Sequence, residues 1–462
     1  MTSTAFSTLS LSAAMQTNLK ALGYQAMTPI QAHSLPVILR GQDLIAQAKT
    51  GSGKTAAFGI GLLEPLNPRH FGCQALVLCP TRELADQVAK EVRRLARAMN
   101  NIKVLTLCGG VPFGPQIGSL EHGAHVIVGT PGRVQEHLRK GSLKLDSLNQ
   151  LILDEADRML DMGFYDSIAE IIGQAPVSRQ TLLFSATYPR GIEQLAATFM
   201  KSPQQIQVES LHDESQIEQR FYEIEPQLRM DAVLRLLGHF RPQSCIAFCH
   251  TRQQCQELLE HLQMQGIHAQ ALHGDLEQRD RDQVLAMFAN RSLSVLVATD
   301  VAARGLDIAG LEAVINVELA RDSQVHIHRI GRSGRAGEKG LALSLVAPAE
   351  ACRAQAIEKL QQAPLNWLEL DSLKIHESEP LLPPMTTLSI AAGRKDKLRP
   401  GDILGALTGE AGIAGSQVGK ISIFDFQALV AVERNIARQA LKRLSEGKIK
   451  GRALKVRIIQ VM

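Results

Sequence analysis

The chain is poor in the residues that staple or anchor a protein. Its seven cysteines, Cys73, Cys79, Cys108, Cys245, Cys249, Cys255 and Cys352, form no Cys-x-x-Cys pair, and several lie in apolar runs that suit buried thiols of a reducing compartment. Neither structural zinc nor disulfides are therefore expected. No apolar run is long enough without charge to span a bilayer, and the Ser/Thr-rich segment Met1 to Leu11 lacks the basic and apolar regions of a signal peptide. A cytoplasmic protein without a membrane partner is expected. A strong overall charge is also missing, since 50 Lys and Arg face 46 Asp and Glu. The sum hides an asymmetry: from Thr386 to Met462 there are 14 basic and 6 acidic residues. A basic tail on a nearly neutral body points to an anionic partner, with nucleic acid leading.

What is present is alternation. At 462 residues the chain is long enough for about three domains. Short apolar runs at Leu44 to Ala46, Ala75 to Cys79, Val104 to Leu107, Val126 to Val128, Leu151 to Leu153 and Thr181 to Phe184 are separated by amphipathic segments. Strands alternating with helices predict a parallel sheet covered on both faces, with ligands at the strands' carboxyl ends. Ser202 to Gln219 reads as a linker, after which runs at Cys245, Ala269, Val295, Val314 and Leu341 repeat the plan. Ser/Glu/Pro-rich text past Trp367 reads as a second linker. The tail orders itself as strand (Thr387 to Ala391), helix (Asp402 to Leu407), strands (Gly419 to Phe424 and Ala428 to Val432), helix (Glu433 to Ser445) and strand (Ala453 to Ile459), a small α+β sandwich. The expected domains are 1–209, 217–370 and 386–462.

Two stretches carry chemistry. Ala48-Lys49-Thr50-Gly51-Ser52-Gly53-Lys54-Thr55 lies between a strand and a helix. Such a loop turns backbone N–H groups toward a polyphosphate, with Lys54 placed for the β/γ-phosphates and the Thr55 hydroxyl for Mg2+. Leu151-Ile152-Leu153 then ends in Asp154-Glu155-Ala156-Asp157, where Asp154 can hold the phosphate-bound Mg2+ and Glu155 can orient or deprotonate the attacking water. The second half has no phosphate loop of its own, so it is free to supply groups across a cleft.

Asp-Glu-Ala-Asp resembles the name motif of the DEAD-box RNA-dependent ATPases, and the likeness covers almost the whole first 370 residues. It implies two tandem RecA-like α/β domains, ATP as cofactor and RNA as partner. By this resemblance Gln31 of Thr28-Pro29-Ile30-Gln31 reads adenine, Phe6 stacks on it and Asp307 reaches the ribose. Pro80-Thr81-Arg82, Gly109-Gly110 and Thr130-Pro131-Gly132-Arg133 correspond to RNA-backbone contacts in the first domain, as do Thr251, Gln278, Arg281 and Thr299 in the second. Ser185-Ala186-Thr187 corresponds to the element that couples ATP state to strand separation. Arg332 and Arg335, in His328 to Arg335, correspond to arginine fingers, which are worth about 10³ to 10⁵ in rate.

The tail, with Arg399-Pro400-Gly401-Asp402-Ile403-Leu404, resembles that of the bacterial DbpA branch, whose RRM-like domain recognises a large-subunit ribosomal RNA hairpin. This implies action on 23S ribosomal RNA and 50S precursors. The tail lacks an RRM's usual aromatic pair in its first and third strands, so basic edges such as Lys420, Lys448, Lys450 and Arg452 are the expected contacts. An ATP-gated RNA clamp that separates no strands remains the alternative to a helicase.

Overall fold

The computed structural model describes residues 4–48, 51–188, 190–208, 217–303, 311–334, 340–374, 381–409 and 412–461. Seven strands form the first sheet: β1 (Leu44–Gln47), β2 (Ala75–Leu78), β3 (Val104–Leu107), β4 (Val126–Gly129), β5 (Gln150–Asp154), β6 (Gln180–Ser185) and β7 (Gln204–Gln207). All pair in parallel, in the order β3-β4-β2-β5-β6-β1-β7. β2, β4, β5 and β6 are buried throughout because helices cover both faces, which is why these strands read as continuous apolar runs. Two apolar clusters result, one per face, with Phe58 and Phe184 in one and Met159 and Ile168 in the other.

The second sheet repeats this build with β8 (Ile217–Glu223), β9 (Cys245–Cys249), β10 (Ala269–Leu272), β11 (Val295–Thr299), β12 (Ala313–Asn316), β13 (Gly340–Val346) and β14 (Trp367–Leu368), ordered β10-β11-β9-β12-β13-β8-β14. The tail forms an antiparallel sheet from β15 (Met385–Ile390), β16 (Val418–Ile423), β17 (Ala428–Glu433) and β18 (Val456–Ile458), ordered β16-β17-β15-β18. Two helices, Pro400–Thr408 and Ala437–Glu446, cover one face of it. The expected fold class is thus observed: two parallel α/β sheets and a small α+β domain.

Several expected boundaries need correction. The stretch 202–219, expected to be a linker, contains β7 and the start of β8. β7 is an exposed, Gln-rich edge strand held by pairing with β1, so it carries no apolar alternation to read. The second linker, expected past Trp367, starts later, because Trp367 and Leu368 form β14 against β8. In the tail the second helix begins at Ala437 rather than Glu433, because Arg434–Ile436 is a tighter single turn, and the last strand shortens to three residues.

Candidate nucleotide and RNA sites

The order of the first sheet sorts its strand ends into two groups. β5, β6 and β1 are neighbours and carry Asp154, Ser185 to Thr187 and the phosphate loop; β3, β4 and β2 carry Gly109-Gly110, Thr130 to Arg133 and Pro80 to Arg82.

In the first group the loop turns on Gly51 and Gly53, at φ +84° and +95°. A Cβ on Gly53 would lie 2.6 Å from Gln31 Nε2 and 2.9 Å from Thr28 Oγ1, so both conformation and contact demand glycine. Gln31 is buried and its amide is engaged at both ends: Nε2 donates to Gly53 O at 3.1 Å, and Oε1 accepts from Thr28 N at 2.9 Å. The residue expected at the adenine thus also ties its own helix to the phosphate loop. Lys54 Nζ donates to Ala48 O at 2.8 Å, so the lysine lies folded across the loop. Ala48 is buried, Ser52 Oγ is buried without a hydrogen-bond partner among the described residues, and Thr55 is half-buried. Lys49 and Thr50 lie outside the described residues. Phe6 is buried edge-on against Tyr24, with ring centroids 5.9 Å apart.

Asp154 ends β5 and is 3% exposed. Burial pushes its carboxyl up to about 7; Lys54 opposes this and Glu155 adds to it. A carboxylate so short of solvation fits a cation, and Asp154 with Thr55 would hold Mg2+ there. Glu155 takes the left-handed conformation at φ +53°, and its Oε2 accepts from Arg158 Nη1 at 3.0 Å. Asp157 Oδ2 accepts from both N and Oγ1 of Thr187, at 2.9 and 2.8 Å. The end of β5 is thereby tied to the segment after β6, a link that sequence reading missed because it joins residues 30 apart.

In the second group threonines follow the strands and begin helices. Thr81 Oγ1 accepts from Leu84 N at 3.3 Å and caps Arg82–Leu95, behind the buried Pro80. Thr130 stands at the N-cap position of Pro131–Arg139 without a side-chain capping bond, with Gly132 exposed and Arg133 half-buried in the first turn. Gly110 is exposed at φ +74°. Helix N-termini at strand ends offer unpaired N–H groups, which suit phosphate.

The second domain repeats the device. Thr251 caps Arg252–Met264 through a reciprocal bond set with Gln254, and Thr299 Oγ1 accepts from Ala302 N at 3.4 Å. Gln278 Nε2 donates to Asp282, and Arg281 Nη2 donates to Ala302 O. Arg329, not singled out from sequence, is 2% exposed. It pairs two-pronged with Asp300 at 2.6 and 2.7 Å, and also donates to Asn316 Oδ1 and Glu318 O. Arg332 is 6% exposed. Asp307 and Arg335 lie outside the described residues.

In the tail Lys420, Lys448, Lys450 and Arg452 are exposed, and Lys450 Nζ donates to Lys397 O at 2.6 Å. On the sheet's helix-free face the two middle strands, β15 and β17, are covered by the second domain, while Arg457 on β18 stays exposed. Thr387 Oγ1 bonds Asn290 and Ser292 at 2.9 and 2.8 Å, and Gln427 Nε2 lies 3.3 Å from Gln283 Oε1. Thr387, Ser389, Leu429 and Ala431 are buried although none belongs to the helix-facing core. The middle of the face on which an RRM stacks bases is thus occupied by protein, which agrees with its lack of aromatics.

Comparison with known proteins assigns each part. DEAD/DEAH box helicase matches residues 28–195, Helicase conserved C-terminal domain matches 228–337, and DbpA RNA binding domain matches 387–458. A solved structure of S. cerevisiae Dbp5 bound to RNA and ADP BeF3 is similar at a TM-score of 0.73 and 30% identity, over 80% of this chain and 96% of that one. The chain belongs to the DEAD-box ATP-dependent RNA helicases. Within them it is of the DbpA type: it is 54% identical to the ATP-dependent RNA helicase DbpA of Escherichia coli (strain K12) over 461 residues, 99% of this chain and 100% of that protein. The DEAD-box ATP-dependent RNA helicase CshA of Bacillus subtilis (strain 168) is 41% identical over 369 residues, 80% of this chain and 74% of its own. No helix among the described residues is long and apolar enough to cross a membrane, and the seven cysteines are free thiols.

Proposed function

We propose that this RNA-dependent ATPase remodels large-subunit ribosomal RNA, 23S in 50S precursors, in the cytoplasm, using domains 1–209, 217–370 and 386–462. The observation that carries this reading is the tail: a matched DbpA RNA binding domain with exposed basic edges, seated on the second helicase domain through Thr387. RNA held at Lys420, Lys448, Lys450 and Arg452 is delivered to a core whose threonine-capped helix ends and Arg82, Arg133, Gln278 and Arg281 need only follow backbone. ATP binds through the phosphate loop with Phe6, Gln31 and Asp307, and Mg2+ through Thr55 and Asp154 supplies charge neutralisation at the phosphates. Lys54 leaves Ala48 O for the phosphates, Glu155 orients the water, and Arg332 and Arg335 stabilise the transferring group's charge.

The test is ATPase stimulation of the full chain across a panel of 23S fragments. One fragment is expected to half-saturate at about 10²-fold lower concentration than the rest, the gain that tethering provides. Equal half-saturation across the panel sinks the ribosomal assignment while leaving the helicase class intact.

A further inference from the structure

Gln116 belongs to none of the sequence motifs, yet the glycine pair, through the adjacent Cys108, and the Thr130 to Arg133 motif both converge on it. It sits in the helix Phe113–Glu121 and is 8% exposed. Its Nε2 donates to Cys108 O at 3.0 Å, and its Oε1 accepts from Arg133 Nη1 at 3.0 Å and from His137 Nε2 at 2.8 Å. The partners fix the amide's orientation, since a carbonyl can only accept and a guanidinium can only donate. His137 must then carry its proton on Nε2, leaving Nδ1 to accept from Ser142 Oγ at 2.8 Å. Fully buried and stacked on Phe113 at 4.1 Å, His137 is pushed down to about 4 by burial and by Arg133, so it stays a neutral donor.

Arg133 is held on three sides. Nη1 also donates to Val111 O at 3.1 Å, and Nε lies 3.1 Å from Glu136 Oε2. This leaves the Nη2 edge without a hydrogen-bond partner among the described residues. The same contacts grip Cys108 O and Val111 O, the carbonyls on either side of the exposed Gly109 and Gly110. One amide therefore joins the glycine loop to the arginine of the neighbouring strand end.

We propose that Gln116 is a positioning residue for RNA binding, which locks Arg133 to the Gly109-Gly110 loop so that both meet the RNA backbone as one preset surface. The proposal rests on the reading of Arg133 and Gly110 as RNA contacts. Holding a long cationic side chain in place before the ligand arrives removes an ordering cost from binding.

The test uses the full chain with Gln116→Met, which keeps length and removes both polar ends, and with Gln116→Asn, a milder change that keeps the amide but not its reach. Both are expected to raise the RNA concentration for half-maximal ATPase stimulation, about tenfold for Met, with the maximal rate within about twofold. The salt slope of RNA binding is expected to fall by about 0.7, one phosphate contact on a single strand. Arg133→Ala should do at least as much, and the double variant no more than Arg133→Ala alone, because Gln116 acts through it. Wild-type half-saturation in both Gln116 variants beside a raised value in Arg133→Ala overturns the proposal and leaves the reading of Arg133 standing. Additive losses overturn it too, because a general packing defect adds. An Arg133→Ala chain with unchanged half-saturation and salt slope removes the underlying reading, and the proposal with it.

Discussion

His326 shows what a single residue's surroundings decide. It sits in the helix Ser323–Ile330, fully buried beside Phe221. Gln219 Oε1 accepts from its Nε2 at 3.3 Å and from Gln361 at 3.0 Å, while Nδ1 has no partner among the described residues. Burial, then the neighbouring Arg329, depresses it to about 3. Between that value and the usual 6.5 the unfolded chain binds a proton that the folded one refuses, so this group's contribution is present at neutral pH and lost as pH falls below about 6.5. Between pH 7 and 5 the loss is about 2 kcal/mol. In thermal melts at both pH values, His326→Gln should lose less stability on acidification than the parent, and an equal loss contradicts the assignment. Sequence named the motif residues around this histidine but could not tell which of them point inward. Arg329 and Arg332 look alike in the text, yet the two-pronged pair with Asp300 is known only from coordinates.

Elements carry the next level of argument. The pair Asp300–Arg329 joins the segment following β11 to the helix that leads into Arg332, and it also reaches Asn316 at the end of β12. Arg329 is nearly without solvent, so Asp300→Asn strips a buried cation of its counter-charge at a cost of about 3 kcal/mol. The urea midpoint of the second domain should fall accordingly, and an unchanged midpoint would show that Asn316 and Glu318 O suffice. Most strand and helix cores of both sheets were legible, because strands buried on both faces must be apolar and the helices between them amphipathic. β7 and β14 were not, since edge strands such as Gln204–Gln207 are held by backbone pairing and need no apolar pattern, and β8, though inside its sheet, buries only Phe221 and Tyr222. The threonine caps lie between: Thr81, Thr130 and Thr251 were named for their motifs, and the structure shows each starting a helix at a strand's carboxyl end.

At the scale of the molecule, the seat of the tail on the second domain matters most. Thr387 bonds Asn290 and Ser292, and Gln427, which also donates to Ser389 within the tail, reaches Gln283, a contact that a tether alone would not require. Thr387→Arg places a charge in that buried cluster and should free the tail without unfolding its own core, which Leu388 and Val430 hold from the other face. Affinity of the full chain for whichever RNA fragment stimulates it best is expected to stay within about threefold, while that fragment's stimulation of ATPase weakens about tenfold toward that of non-specific RNA. Undiminished stimulation would mean that tethering alone suffices. By itself the sequence determined the class of fold, the nucleotide loop, the acidic strand end and the kind of partner, because these depend on local periodicity and on short contiguous motifs. Only the tertiary structure decided that Gln31 braces Gly53, that Asp157 holds Thr187, that Gln116 gathers Arg133 and the glycine loop, and that the middle of the tail's sheet face is covered. Each of these joins residues distant in the chain, and a hydrogen bond between distant residues leaves no pattern in a linear text.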